Sequence, residues 1–188
     1  MIRTLHRGLA IVLGLFLALH LGNHLAGFCG QDTHLALQTA LRQIYRHPLI
    51  EPLLLAALAL QAGLGTGLLV RQRRLTLQTA SGAWLALFLM IHVGAVLTAR
   101  WQGTDTTLAF AAAGLHAPFP WPQLFAAYYG LAGFAVFAHL SVPLGRRHKT
   151  LGHLLLAAGS VIAVALVLLL AGWVTPLTIP SALIATFP

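Results

Sequence analysis

The chain has 188 residues, of which 59% are hydrophobic and only 7% are charged. A soluble domain carries about 25% charged residues, so this composition excludes a soluble globular enzyme, a disordered tail, a collagen and a secreted disulfide scaffold. The single Cys excludes an intrinsic iron–sulfur cluster, which takes about four thiolates. The number of histidines is unusual, because the chain has ten of them but only three Asp and Glu residues.

The net charge of +8 is carried by short basic clusters between long apolar runs. This pattern is typical of membrane-protein loops and not of a nucleic-acid surface. The chain contains neither a glycine-rich dinucleotide fingerprint nor a P-loop. We therefore expect it to lie in membrane lipid and to bind no nucleic acid.

Five apolar stretches are each long enough to cross the hydrocarbon core, which takes roughly 20 residues. The predicted spans are residues 9–28, 50–70, 80–99, 121–142 and 151–175. The first is too long for the apolar region of a signal peptide and is followed by no clean cleavage site, so we interpret it as a true span. The predicted fold is all-α, an integral membrane bundle of five transmembrane helices that forms a single domain over residues 1–188.

The basic residues predict the orientation of the bundle. Eight of the eleven Lys and Arg residues fall on the side of the N-terminus and three on the other side. This excess predicts a cytoplasmic N-terminus and an outer C-terminus. The expected location of this multi-pass protein is the bacterial inner (cytoplasmic) membrane. The first outer connection, residues 31–47, carries a rough helical stripe of apolar residues and is expected to lie along the membrane interface.

Two histidines lie at matching depth in two helices that run in the same direction. His20 in the first span and His92 in the third both fall about 17 Å from the cytoplasmic side, at 1.5 Å per residue. Two facing imidazoles are the axial ligands that haem b needs. The alternative is that each His hydrogen-bonds a neighbouring helix. Because the pair is matched in depth, we expect it to bind haem iron.

A motif around His92 resembles a known family. Gln78-Thr79-Ala80-Ser81-Gly82, followed after nine intervening residues by His92-Val93, is similar to the third-helix motif of the five-helix cytochrome b subunit of succinate dehydrogenases and fumarate reductases. Thr79 stands where that family usually has Arg, although Arg73 and Arg74 are close. His20 late in the first helix, Glu51 at the start of the second and His139 late in the fourth match further landmarks of the family.

The resemblance implies a haem b subunit that passes electrons between membrane quinone and a cytoplasmic partner made of flavoprotein and iron–sulfur subunits. We therefore expect a non-catalytic electron-transfer or anchor subunit of an oxidoreductase complex, with no catalytic residue of its own. The likeness extends over about five-sixths of the chain by the order of spans and landmarks.

The second helix departs from the family pattern. Two-haem members carry a His in a His-Ala-x-x-Gly context, whereas this chain has Gln61 at the start of Gln-Ala-Gly-Leu-Gly. Glutamine is a poor ligand for haem iron compared with imidazole, so we expect one haem and not two. His139 then either pairs with His153, the only other His near its depth, or hydrogen-bonds Gln61 across the bundle.

Two groups of side chains are candidates for a quinone site, which needs a hydrogen-bond donor for each carbonyl and a proton route. The cytoplasmic group is Ser81, Arg74 and His153, and the outer group is His24, Trp101 and Glu51. His24 has three further interpretations: a haem-propionate contact, one half of a His-x-x-x-His metal spacing, or a helix-end His that extends toward the interface. Glu51 either relays protons or stabilises the start of its own helix.

The remaining histidines are expected to be ordinary. His34, His47 and His116 fall in outer connections and are predicted to be solvated, and His6 and His148 are predicted to lie at the cytoplasmic membrane surface. A second hypothesis for the whole chain is a haem-free membrane protein that binds a metal ion or small molecule through His20, His24 and His92. Three imidazoles with an open position suit zinc, copper or non-haem iron.

Overall fold

The computed structural model describes all 188 residues, of which about 80% are helical and none is in a β-strand. Its helices are α1 (Ile2–Ala26), α2 (Gln31–Tyr45), α3 (Ile50–Gln72), α4 (Leu77–Trp101), α5 (Leu108–Ala112), α6 (Trp121–Gly145), α7 (Lys149–Leu170) and α8 (Ser181–Ile184). Short 3-10 turns follow α1 at Gly27–Cys29 and α5 at Ala113–Leu115.

Five of these helices are long and apolar enough to cross a membrane, namely α1 with its 3-10 turn, α3, α4, α6 and α7. This confirms the prediction of an all-α, multi-pass membrane fold. The helices extend beyond most of the predicted spans: α1 begins at Ile2 and includes Arg3 and Arg7, because no residue there interrupts the helix. In contrast, α7 already ends at Leu170, and Gly172 adopts a φ of 74° directly after it.

The chain divides into two compact units, Met1–Leu75 and Thr76–Pro188. The first unit contains α1, α2 and α3. Here α2 follows Gly30, whose φ of 118° favours glycine, and it packs on α1 with His34 and Gln38 buried. The predicted helix in the first outer connection is therefore present.

The second unit contains α4 to α8, and α6 and α7 form its tightest pair. Glycines allow these two helices to approach each other: a Cβ on Gly133 would lie 2.9 Å from the Cβ of Ala163, and one on Gly152 would lie 2.6 Å from the Cα of Gly145. In lipid the hydrophobic effect does not drive helices together, so their association depends on van der Waals contact. Small residues at a helix crossing maximise that contact.

The connection before α6 is folded onto the second unit. Leu108 and Ala112 of α5 are buried against Leu170 at the end of α7, and the Tyr129 hydroxyl donates a hydrogen bond to the Ala111 carbonyl oxygen at 3.0 Å. The helix α4 begins with a capping box, in which Thr76 Oγ1 accepts from the Thr79 N–H and Thr79 Oγ1 accepts from the Thr76 N–H. Thr79 therefore stabilises the start of α4.

Candidate functional site

The two histidines that the sequence predicts at matching depth, His20 and His92, occur in the same local arrangement, one in each unit. In α1 the His20 ring stacks on Phe16, with ring centroids 5.7 Å apart and an interplanar angle of 20°. In α4 the His92 ring stacks on Phe88, at 5.2 Å and 13°. Residues four apart lie on one helix face, so each Phe-x-x-x-His element presents an imidazole held flat against an aromatic ring.

This repeated element was missed at the level of sequence, although the spacing is visible there. A ring stacked on the preceding turn restricts the rotation of the imidazole and gives it an apolar wall. Imidazole nitrogens in an apolar, aromatic setting fit the donor set that haem iron takes. The expected pairing of His20 with His92 involves both units and stays a prediction.

The histidines of the first unit continue as a row from His20. The His20 and His24 rings lie 4.8 Å apart in an edge-on arrangement, and the His24 and His34 rings lie 5.6 Å apart. His34 belongs to α2 and is fully buried. The expectation that it is a solvated loop residue was therefore wrong, because α2 turns its polar face toward α1.

Asn23 fixes the orientation of His34. Asn23 Nδ2 lies 3.1 Å from His34 Nε2, and an amide nitrogen can only donate. In this orientation Nε2 of His34 accepts, so the ring proton lies on Nδ1. Both His34 Nδ1 and Asn23 Oδ1 are buried without a hydrogen-bond partner. Burial, followed by the positive charge of Arg42, lowers the pKa of His34 to about 4, so its ring is neutral at pH 7.

The motif that precedes His92 surrounds His139 in the second unit. His139 Nδ1 donates to the Gln78 carbonyl oxygen at 3.0 Å, and the His139 ring lies 3.0 Å from the position that a Cβ on Gly82 would occupy. The Gln78 side chain accepts a hydrogen bond from Arg146 at 3.1 Å. Because a carbonyl can only accept, the His139 proton lies on Nδ1 and its lone pair on Nε2. In many metal-binding histidines, the ring nitrogen that does not bind the metal donates a hydrogen bond to a carbonyl oxygen, which orients the ring in this way.

Gln61 contacts a histidine that the sequence analysis placed elsewhere. Its Nε2 atom lies 3.2 Å from His6 Nε2, and a Cβ on Gly65 would lie 3.4 Å from the same His6 atom. His6 is half-buried between α1 and α3 and not simply a membrane-surface residue. The cause is the early start of α1, which carries His6 into the helix. A hydrogen bond between Gln61 and His139 would join the two units and stays a prediction.

The predicted quinone groups also draw on both units and remain predictions. Ser81 is buried, and its hydroxyl donates to the Leu77 carbonyl oxygen of its own helix at 2.6 Å. His153 and Arg74 are exposed. In the outer group, Glu51 lies in the first turn of α3 and Trp101 is exposed at the end of α4.

The other histidines divide between packed and exposed positions. His116, expected to be solvated, is half-buried, and its Nε2 atom donates to the Leu170 carbonyl oxygen at the end of α7 at 3.0 Å. His47 and His148 are exposed as expected. No three His, Cys, Asp or Glu side chains are arranged to hold a metal ion.

The chain matches no protein-family model, no curated protein and no solved structure.

Proposed function

We propose that this chain is a haem b-binding membrane subunit that passes electrons between a cytoplasmic dehydrogenase or reductase partner and membrane quinone in the bacterial inner membrane. The observation that carries the proposal is the repeated Phe-x-x-x-His element, with nearly the same ring geometry in α1 and in α4. A lone intramembrane His is readily explained as a helix–helix contact. Two that share their spacing and their aromatic neighbour, and that the sequence predicts at one depth, favour one shared ligand.

In this proposal His20 and His92 would hold the haem iron through neutral imidazole nitrogens. Haem, when bound, accepts and donates single electrons, and the chain has no other group for this chemistry. Phe16 and Phe88 hold the two rings in a fixed orientation, which lowers the entropy lost when a ligand nitrogen is immobilised. The flavin and iron–sulfur chemistry belongs to the partner subunits.

One haem is favoured over two. His139 has the Nδ1-to-carbonyl hydrogen bond that suits a metal ligand. However, the position expected to supply its partner is Gln61, whose amide lies against His6. The quinone headgroup would bind either at His24, Glu51 and Trp101 on the outer side or at Ser81, Arg74 and His153 on the cytoplasmic side, where side-chain donors can reach its carbonyls.

The test is the haem content of variants purified in detergent. We expect His20→Ala and His92→Ala each to lose at least about 90% of bound haem, since one axial ligand is removed. The control is His148→Ala, because His148 is exposed, and it should keep its haem. His92→Gly with added imidazole separates ligand loss from misfolding: recovery of haem binding supports ligation by His92. Equal haem content in all variants would contradict the proposal.

A second candidate function is a haem-free protein that binds a small molecule or metal ion through its intramembrane histidines. The row from His20 through His24 to His34 favours a small molecule as its ligand, because the His34 Nδ1–H donor and the Asn23 Oδ1 acceptor are buried without a partner. Metal analysis distinguishes the two functions: stoichiometric metal without a haem absorption band would support the second candidate.

A further inference from the structure

A basic groove lies between the N-terminal end of α1 and the C-terminal end of α3, within the first unit. It has a volume of about 260 Å³ and is lined by Met1, Ile2, Arg3, Leu68, Arg71 and Gln72. This volume lies near the lower limit of small-molecule sites, about 300 Å³, and suits a headgroup better than a protein segment. Arg3 and Arg71 are both exposed, so their guanidinium groups are available to a ligand.

No carboxylate in the first unit lies near this groove. The only acidic residues of the unit are Asp32 and Glu51. Glu51 lies in the first turn of α3, whereas Arg71 lies in the last, which places them about 30 Å apart along the helix. Asp32 follows the far end of α1. The charge of the two arginines is therefore not balanced within the unit, and an anion would supply the balance. Guanidinium groups bind phosphate oxygens in a bidentate manner.

The exposed face of α1 beside the basic groove carries a shallow apolar track, and Met1 lines both. The track has a volume of about 690 Å³ and is lined by Met1, Thr4, Leu5, Gly8, Leu9 and Val12. Their spacing of three and four residues keeps them on one helix face, over about 16 Å from Met1 to Val12. A Cβ on Gly8 would meet nothing within 4 Å, so Gly8 leaves an open notch in the track.

We propose that the basic groove and the apolar track together bind one anionic phospholipid. The phosphate lies between Arg3 and Arg71, and one acyl chain follows the track past Gly8. Two features define this ligand: a charged recess at the helix ends, and an apolar track beside it along α1. A free phosphate would use only the first of them. Basic recesses between transmembrane helices are known to hold anionic headgroups. The proposal does not depend on haem binding.

The test uses the full chain in detergent, titrated with phosphatidylglycerol or phosphatidylcholine and observed by native mass spectrometry. The wild type should bind one phosphatidylglycerol at least about 10-fold more tightly than phosphatidylcholine. The double variant Arg3→Gln/Arg71→Gln should lose this preference. The matched control Arg147→Gln/Lys149→Gln removes the same charge from exposed positions of the second unit and should keep it.

The acyl-chain part is tested separately. Gly8→Leu fills the notch and should weaken phosphatidylglycerol binding several-fold, while glycerol phosphate at millimolar concentration should not displace the lipid. Equal preference in the arginine double variant and its control would overturn the proposal. So would displacement by glycerol phosphate, or a double variant that keeps its lipid preference and instead loses a bound cytoplasmic subunit. Haem content is measured alongside and should not change, so that failure of the lipid site is distinguishable from failure of the proposed function.

Discussion

His34 is the most buried side chain of the amphipathic helix α2, although it is polar. The exposed face of α2 carries Leu35, Leu37 and Ile44, whereas His34 and Gln38 are buried. In lipid, apolar side chains lose nothing by facing outward, and polar ones gain by packing against each other. The expectation that a histidine in a connection between two spans faces solvent therefore does not hold for His34.

Burial of His34 predicts a loss of stability in acid. Its pKa is about 4 in the folded chain, against 6.5 for an ordinary His. The unfolded chain therefore takes up a proton first as the pH falls, so the contribution of His34 is fully present above pH 6.5 and declines between pH 6.5 and about 4. At pH 5 the free energy of unfolding should be about 2 kcal/mol lower than at pH 7 from this residue.

Thermal unfolding of the detergent-solubilised protein at pH 7 and pH 5 measures this effect. The variant His34→Gln removes the titrating ring and should show a clearly smaller difference between the two pH values. A difference as large as that of the wild type would show that other groups cause the acid sensitivity.

At the scale of elements, the pairing of α6 with α7 depends on glycines. Gly152 faces the backbone of α6, where a Cβ would lie 2.6 Å from Gly145 Cα and 2.9 Å from the Ser141 carbonyl oxygen. Gly159 faces the Phe137 ring, and a Cβ there would overlap it. A backbone cannot rotate away as a side chain can, so the crossing of the two helices is set at Gly152.

Gly152→Ala should therefore destabilise the chain by about 1–3 kcal/mol, the usual cost of overpacking. The matched control is Gly94→Ala in α4, because a Cβ on Gly94 meets nothing within 4 Å. That change should leave the thermal midpoint unchanged or raise it slightly. If both variants melt like the wild type, the close crossing at Gly152 is not what stabilises the pair.

The long helices could be predicted from the sequence, and the short ones only in part. A stretch of about 20 apolar residues is the length that a transmembrane helix requires, and all five were found. The helix α2 was indicated by its leucine stripe, but its buried face was not, since the stripe faces outward. The helix α5 has only five residues, too few for a periodic pattern, and Leu108 is buried only because the fold brings it to the end of α7.

The sequence predicted which residue types form the candidate site and how deep they lie, but it did not predict which side chains contact each other. His20 and His92 follow from hydropathy and spacing, whereas Gln61 was singled out only by the resemblance to the cytochrome b family. The contact of Gln61 with His6 and the approach of His139 to Gly82 depend on how helices rotate about their axes. Apolar stripes do not determine that rotation where lipid and protein interior are equally apolar. The row from His20 to His34 was missed for the same reason.

For the whole molecule, the ten histidines separate by environment. Each unit holds one intramembrane Phe-x-x-x-His element, and His6, His34, His116 and His139 contact a specific partner within their own unit. His47, His148 and His153 are exposed. The high number of histidines therefore reflects one candidate pair of haem ligands and several hydrogen bonds between elements of the same unit.

The proposed function requires that the chain binds haem b through His20 and His92. The measurement is the absorption spectrum of the wild-type protein purified in detergent, recorded oxidised and after reduction with dithionite. We expect a Soret band and, on reduction, the sharp band of a b-type cytochrome, with about one haem per chain, as one pair of axial imidazoles allows. A folded protein that shows neither band after purification with added haem would contradict the account.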